Sequence, residues 1–236
     1  MKPKSPSWGE QAKRAAAEEA VKEVKDGYVI GLGSGTTVAY AIQELGKNIK
    51  KKGIHVLVVP SSHQAFLLAA QNKVQATSLD EHPKLDVTID GADQVERKTL
   101  NMIKGMGGAL TREKIVASAS KRLVIIVDET KLTEKLGSNQ PIPVEVLPFA
   151  LAPVTARLRA LKGKPTLREG NGKVGPVVTD NGNFILDVDF NAVRVPEKLN
   201  TQIKAIPGVV ETGLFLNMAT IVYVGKRNTV QKLTKE

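Results

Sequence analysis

Four short β-branched runs recur along the first half of the chain: YVIGL (28–32), HVLVVP (55–60), DVTID (86–90) and RLVIIVD (122–128). Each is followed by a loop, and stretches of helical composition, TTVAYAIQELG, SHQAFLLAAQ and ALTREKIVASAS, separate them. A strand that is apolar at nearly every position must be covered on both faces. Strands of that kind alternating with helices form a parallel sheet whose crossovers are the covering helices. An alanine-rich segment from Gln11 to Lys25, ending at Asp26-Gly27, predicts a further helix ahead of the first strand. The expected architecture is α/β: a Rossmann-like, doubly wound, mostly parallel sheet over residues 1–140. The last apolar run, ATIVYVGKRNTV, is expected to return to that sheet, which adds residues 217–236.

After Gln140 the texture changes. PIPVEVLP marks a boundary, and PFALAPVTARLRALKG reads as a helix after a proline-rich hinge. VGPVVTDNGNFILDVDF holds two alternating runs around Asn181-Gly182, a hairpin signal, and PEKLNTQIKAIPGVVETGLF predicts a helix and another strand. Residues 141–216 are therefore expected to form a second, smaller α+β domain of ferredoxin-like type.

Composition narrows the function classes. The 236 residues carry 34 Lys+Arg against 24 Asp+Glu, a net charge of +10, which favours anionic ligands: nucleic acid, an anionic surface or phosphorylated metabolites. Aromatics are only 4% and the lysines are dispersed, which argues against nucleic acid. With no cysteine, disulfides, thiolate metal sites and cysteine nucleophiles are excluded together. No run approaches the ~18 apolar residues that span a bilayer, so a cytoplasmic protein with no membrane partner is expected.

In open α/β sheets ligands bind beyond the carboxyl ends of the strands, so the residues that follow each run matter most. After the first comes GLGSGTT, in which Ser34, Gly35, Thr36 and Thr37 open a helix. Bare backbone, hydroxyls and a helix N-terminus suit a phosphate, although a capped strand-to-helix turn explains the same residues. The segment lacks the Gly-Lys pair of a P-loop and the third glycine of a dinucleotide fingerprint. DVTIDGADQVE puts Asp90 at a strand tip and Asp93 three residues on, with Gly91 and Ala92 between them. Two carboxylates there can hold hydroxyls, a divalent ion or a proton, or can simply form an Asx-type turn. KGMGGALTREK then sets Lys104 and the Gly105-Met106-Gly107 backbone ahead of Glu113, a layout suited to removing a proton beside a carbonyl, or an ordinary exposed helix turn. VDETKL adds Lys131 after the fourth run, and Lys13 lies on the first helix. The three histidines, His55, His63 and His82, have no metal-ligand spacing, and no G-x-S-x-G elbow is present, which leaves chemistry by carboxylate and lysine.

Taken together and in this order, GLGSGTT, IDGADQVE, IKGMGGALTREKIV, VDETKL and PIPVEVLP resemble the type A ribose-5-phosphate isomerases, and the resemblance extends over VVTDNGNFILDV and IPGVVETGLF. It implies aldose-ketose isomerisation between D-ribose 5-phosphate and D-ribulose 5-phosphate, in the pentose phosphate pathway, with no metal or organic cofactor. In that family the glutamate matching Glu113 is the base that moves a proton between C1 and C2 through an enediolate. The lysine matching Lys104 stabilises the enediolate oxygen, and the aspartates matching Asp90 and Asp93 bind hydroxyls and assist ring opening. Ser34 to Thr37 match the phosphate loop, Lys131 a substrate-contacting lysine and Lys13 an N-terminal lysine near the phosphate. The chain departs from the pattern at Met106, where three successive glycines are common. The resemblance also implies a homodimer or homotetramer. The competing readings are a sugar-phosphate sensor built on the same layer, and enzymes that share the layer, such as amino-sugar phosphate deaminases or acyl-CoA transferases.

Overall fold

The computed structural model describes residues 7–172 and 174–235. From the N-terminus the chain forms α1 (Trp8–Val21), β1 (Val29–Leu32), α2 (Thr36–Lys52), β2 (Leu57–Pro60), α3 (His63–Gln71), β3 (Gln75–Ala76) and β4 (Val87–Gly91). Short strands β5 (Gln94–Glu96) and β6 (Met102–Ile103) lead into α4 (Leu110–Ser118), β7 (Leu123–Asp128) and β8 (Leu132–Thr133). The rest runs β9 (Ile142–Val146), α5 (Leu151–Ala160), β10 (Lys164–Leu167), β11 (Phe184–Asp189), α6 (Pro196–Lys204), β12 (Val209–Thr212), β13 (Leu214–Phe215), β14 (Ile221–Gly225) and β15 (Val230–Thr234). Two compact units emerge: the described residues of Met1–Gly91, Ile115–Leu132 and Met218–Glu236, and those of Ala92–Lys114 and Thr133–Asn217.

The first unit is built on a seven-stranded sheet in the order β15-β14-β7-β4-β1-β2-β3. All neighbours are parallel except the edge pair β14 and β15. The last apolar run does return to this sheet, as β14 and β15. Every residue of β7 and β14 is buried, which is why these runs show no polar alternation. On one side of β1 the chain proceeds to β2 and β3, and on the other to β4, β7 and β14. The winding therefore reverses between β1 and β4, and the tips of these two strands form the topological switch point where such sheets bind ligands.

Helix α1 starts at Trp8 and ends at Val21, earlier at both ends than composition predicts. Its start is set by a capping box: Ser7 accepts from the Glu10 N–H while the Glu10 side chain accepts from the Ser7 N–H. The alanine content has a packing cause, since Ala12, Ala16, Ala17 and Ala20 face inward and let the helix backbone approach the sheet. A Cβ on Gly225 in β14 would lie 2.0 Å from the Ala12 carbonyl oxygen.

The second unit contains a four-stranded antiparallel sheet in the order β10-β11-β9-β12, connected as β9-α5-β10-β11-α6-β12. This is the ferredoxin-like βαββαβ arrangement. Its core gathers Val144, Val146, Val154, Leu158, Leu186, Val188 and Ile203. PIPVEV, which reads as a boundary in the sequence, is strand β9 in the interior of this sheet, and Pro143 is accommodated because pairing with β12 ends at Val144.

The expected hairpin is corrected. The turn at Asn181-Gly182 exists, closed by Gly182 N–H to the Thr179 carbonyl at 2.9 Å, but residues 174–178 form no strand. The strands that pair with β11 are β10 and β9. Val174 is fully exposed and Val178 half exposed, so the run has no buried face, and Pro176 has no N–H to offer a ladder.

A Gly225→Ala substitution is expected to lower unfolding stability by about 1–3 kcal/mol through overpacking against Ala12. Gly9→Ala, where nothing lies within 4 Å of the added carbon, is the control and should be neutral or stabilising in the same urea titration.

Candidate active site

At the switch point of the first unit the backbone is bare because side chains already fill the space. The Gly33 N–H donates to the Ile89 carbonyl at 2.9 Å, and a Cβ on Gly33 would lie 1.7 Å from Asp90 Oδ1. Asp90 is fully buried, and its Oδ1 accepts from the Gly91 N–H at 2.7 Å. Gly35 adopts φ +101°, open to glycine, and its N–H donates to Gln64 Oε1 at 2.9 Å. Ser34 turns toward the start of α3: its hydroxyl donates to Ser62 Oγ at 2.7 Å and lies 3.0 Å from Ser61 Oγ. Thr36 and Thr37 open α2, whose N-terminus has no side-chain cap. That leaves amide hydrogens and the positive end of the helix dipole available to an anion.

On the next strand tip in this unit, Asp128 caps the single turn Glu129–Lys131, accepting from Thr130 N–H at 3.0 Å. The Lys13 ammonium stands 3.9 Å from Asp128 Oδ2, and Lys131 is half-buried at the end of the same turn. The structure thus brings Lys13 to the VDETKL segment, an association that linear spacing does not show.

The second unit holds the rest. Lys104 Nζ lies 3.1 Å from Glu113 Oε2, and both side chains are almost wholly buried, 3% and 5% exposed. The Lys104 N–H donates to the Gly213 carbonyl at 2.9 Å, and its ammonium stands 5.2 Å from the centre of the Phe215 ring. Between the two charges the chain makes a tight turn. Gly105 and Gly108 both have positive φ, +103° and +83°, and the Gly108 N–H donates to the Gly105 carbonyl at 3.0 Å. The Met106 N–H donates to Asp93 Oδ2 at 2.9 Å, which joins the second aspartate of the DGAD segment to the glycine run. The Met106 side chain is exposed, so its bulk leaves the turn intact.

Three residues around this turn escape sequence reading. Arg168 Nη1 donates to the Gly105 and Met106 carbonyls at 2.9 and 3.0 Å, while its Nε donates to Asp187 Oδ2 at 2.7 Å and Nη2 to Asp187 Oδ1. Glu145 on β9 is fully buried and accepts from Thr179 Oγ1 at 2.8 Å, Asn183 Nδ2 at 2.8 Å, Asn181 Nδ2 at 3.1 Å and Thr111 Oγ1. Thr111 lies two residues before Glu113, so Glu145 anchors the first turn of α4. A charged residue inside an otherwise apolar strand, the Glu of PIPVEV, was the available signal for it. Arg168 and Asp187 left none, because they meet the glycine turn only through the β10–β11 ladder.

The start of α4 is also fixed by Lys114, whose ammonium donates to Thr212 and Leu214 carbonyls at 2.7 and 2.8 Å and to Glu211 Oε1 at 3.0 Å. Burial opposes the charge on Glu211, but Lys114, the Thr212 N–H and Lys204 outweigh it and hold its carboxyl below the ordinary 4.5. In chemical terms the second unit offers a buried carboxylate beside a buried ammonium and a bare, rigid turn. The first offers a helix N-terminus with hydroxyls and a buried strand-tip carboxylate.

A sequence profile for the family described as ribose 5-phosphate isomerase A (phosphoriboisomerase A) matches residues 57–229. The chain is 50% identical over 217 residues to ribose-5-phosphate isomerase A of Thermosynechococcus vestitus, covering 92% of each. It is 52% identical over 202 residues to that of Archaeoglobus fulgidus, covering 85% of this chain and 88% of the relative. Among solved structures, ribose 5-phosphate isomerase A from Methanocaldococcus jannaschii superposes with a TM-score of 0.93 at 46% identity, over 96% of this chain and 100% of the other. A D-ribose-5-phosphate isomerase in complex with phospho-erythronic acid gives a TM-score of 0.93 at 44% identity, over 96% and 99%.

Because the folded carboxyl of Glu211 titrates below 4.5, its stabilising contribution is complete above that pH and is lost as the pH falls through the folded value. Between about pH 6 and about pH 3, Glu211→Gln should therefore show a shallower loss of unfolding free energy than the parent chain in denaturant titrations. Parallel curves would rule the ion pair out as a source of acid sensitivity.

Proposed function

The chain belongs to the ribose 5-phosphate isomerase A family, and from that membership we propose that it interconverts D-ribose 5-phosphate and D-ribulose 5-phosphate, with Glu113 as the general base. The observation that carries the assignment of the base is the buried Lys104–Glu113 pair at 3.1 Å. A carboxylate removes a carbon-bound proton only when the electron pair left behind is stabilised. In this reading Glu113 takes the proton from C2 of the open-chain aldose, and the C2–H electron pair becomes the enediolate C=C bond as charge moves onto the O1 oxygen. Lys104 and the glycine amides of the turn, Gly105 and Gly107, stabilise that oxygen, while the Met106 amide is held by Asp93. The protonated Glu113, whose proton can exchange with solvent, then delivers a proton to C1 while the O2 proton passes to O1, so that C2 becomes the ketone and C1 carries a hydroxyl without net loss or gain of atoms.

The remaining roles follow the family pattern. Asp90 and Asp93 bind sugar hydroxyls and assist ring opening, and the small Gly91 and Ala92 leave room beside them. Ser34, Gly35, Thr36 and Thr37 receive the phosphate at the N-terminus of α2, an assignment supported by the uncapped helix start. Lys13 and Lys131 add positive charge for the same dianion. No metal or organic cofactor enters the scheme. A cytoplasmic homodimer or homotetramer in the pentose phosphate pathway is the setting this assignment implies.

In a coupled assay with ribose 5-phosphate and excess chelator, the parent chain should remain active. Glu113→Gln should lose about 10²- to 10⁴-fold in kcat with KM little changed, as expected for removal of a general base. An undiminished Glu113→Gln would reject the assigned base. Binding of ribose 5-phosphate without turnover by the parent chain would reject the isomerase in favour of a sensor.

A further inference from the structure

The turn beside Lys104 is gripped by a residue pair from another part of the same unit. Arg168 follows β10, and its backbone N–H donates to the Ile185 carbonyl at 2.9 Å, so the β10–β11 ladder fixes where its side chain begins. The guanidinium then has no slack. Two of its nitrogens engage both oxygens of Asp187, and the third donates to the carbonyls of Gly105 and Met106, residues 63 and 62 positions away. The side chain is 11% exposed. A planar fork used on all sides in this way is a positioning device rather than a solvated charge.

What it positions follows from peptide geometry. In a trans peptide the N–H points opposite to the C=O. Drawing the Gly105 and Met106 carbonyls to one nitrogen therefore turns the Met106 and Gly107 N–H groups to the other side of the turn. The first of these is taken by Asp93 Oδ2 at 2.9 Å. By the same geometry the second, Gly107 N–H, is turned toward that face, and the turn's own hydrogen bond uses Gly108 N–H instead. Without the clamp, a segment with glycine at three of its four positions can rotate these peptides at little cost. With it, the amide is set before the reaction begins, which is the condition for strong electrostatic stabilisation of a developing oxyanion.

We propose that Arg168, braced by Asp187, is a positioning residue that aims the Gly107 amide at the oxygen on which charge develops, an inference that rests on the isomerase reading above. In this role Arg168 acts through the peptide planes it holds, by its bonds to the Gly105 and Met106 carbonyls. Lysine at this position cannot bridge two carbonyls and both carboxylate oxygens at once.

The test compares Arg168→Lys and Asp187→Asn with the parent chain, each checked for folding by circular dichroism. Expected are a kcat lower by about 10²-fold and a KM changed by less than about 3-fold. Affinity for phospho-erythronic acid, whose carboxylate presents two oxygens and a negative charge as an enediolate does, should fall with kcat, while affinity for inorganic phosphate holds. If Arg168→Lys does not fold, Asp187→Asn decides on the same readouts. Parent-like kcat and analogue affinity in a folded variant would overturn the proposal, as would equal losses for phospho-erythronic acid and phosphate. Analogue binding needs no proton transfer, so it reports on the clamp even if Glu113→Gln proves active and the assigned base fails.

Discussion

The second unit is organised around one costly interaction, the ion pair of Lys104 and Glu113 buried to 3% and 5% exposure. Removing two charges from water costs several kcal/mol per ion, and their mutual attraction offsets this only when geometry and further hydrogen bonds are good. Much of the surrounding structure serves that geometry. The Lys104 backbone is tied to Gly213, its ammonium rests near Phe215, and Glu113 stands on a helix whose first turn is held by Thr111 to the buried Glu145 and by Lys114 to the β12–β13 segment. Replacing a buried ion pair by apolar residues of similar volume is often neutral or stabilising, so the pair is not explained by stability alone. A base and a cation held together in a dry place is the arrangement that the proposed chemistry requires.

The first unit meets a different constraint, which is space. Where the winding of its sheet reverses, Gly33 has no room for a Cβ because Asp90 occupies it, and Gly35 takes a backbone conformation suited to glycine ahead of an uncapped helix. The glycines of GLGSGTT therefore have structural causes that can be read atom by atom. The consequence for function is an α2 N-terminus that no N-cap side chain closes.

How much was legible in the sequence depended on whether the cause was local. The parallel sheet was visible because strands buried on both faces are continuous apolar runs, and the return of the C-terminal run followed the same rule. The start of α1 is set by the Ser7–Glu10 capping box, which lies ahead of the alanine-rich composition that begins at Gln11. The hairpin failed because the alternation in residues 174–178 has no buried face, while the strands that do pair with β11, β10 and β9, lie farther upstream. For the candidate site, motif order and resemblance singled out Lys104, Glu113, Asp90 and Asp93, although spacing alone could not separate Glu113 from a surface helix residue. Arg168 and Asp187 were invisible because nothing in the linear sequence connects β10 and β11 to a glycine run 62 residues away.

The central claim is that a single carboxylate moves the proton through an enediolate stabilised by Lys104, and isotope transfer addresses it most directly. Isomerisation of ribose 5-phosphate in deuterium oxide, followed by NMR of the ribulose 5-phosphate formed, should show solvent deuterium entering one prochiral position at C1 only, because one base on one face delivers it. Complete transfer of the C2 hydrogen with no solvent label under any condition, the mark of a hydride shift, would contradict the account, as would label at both positions of C1.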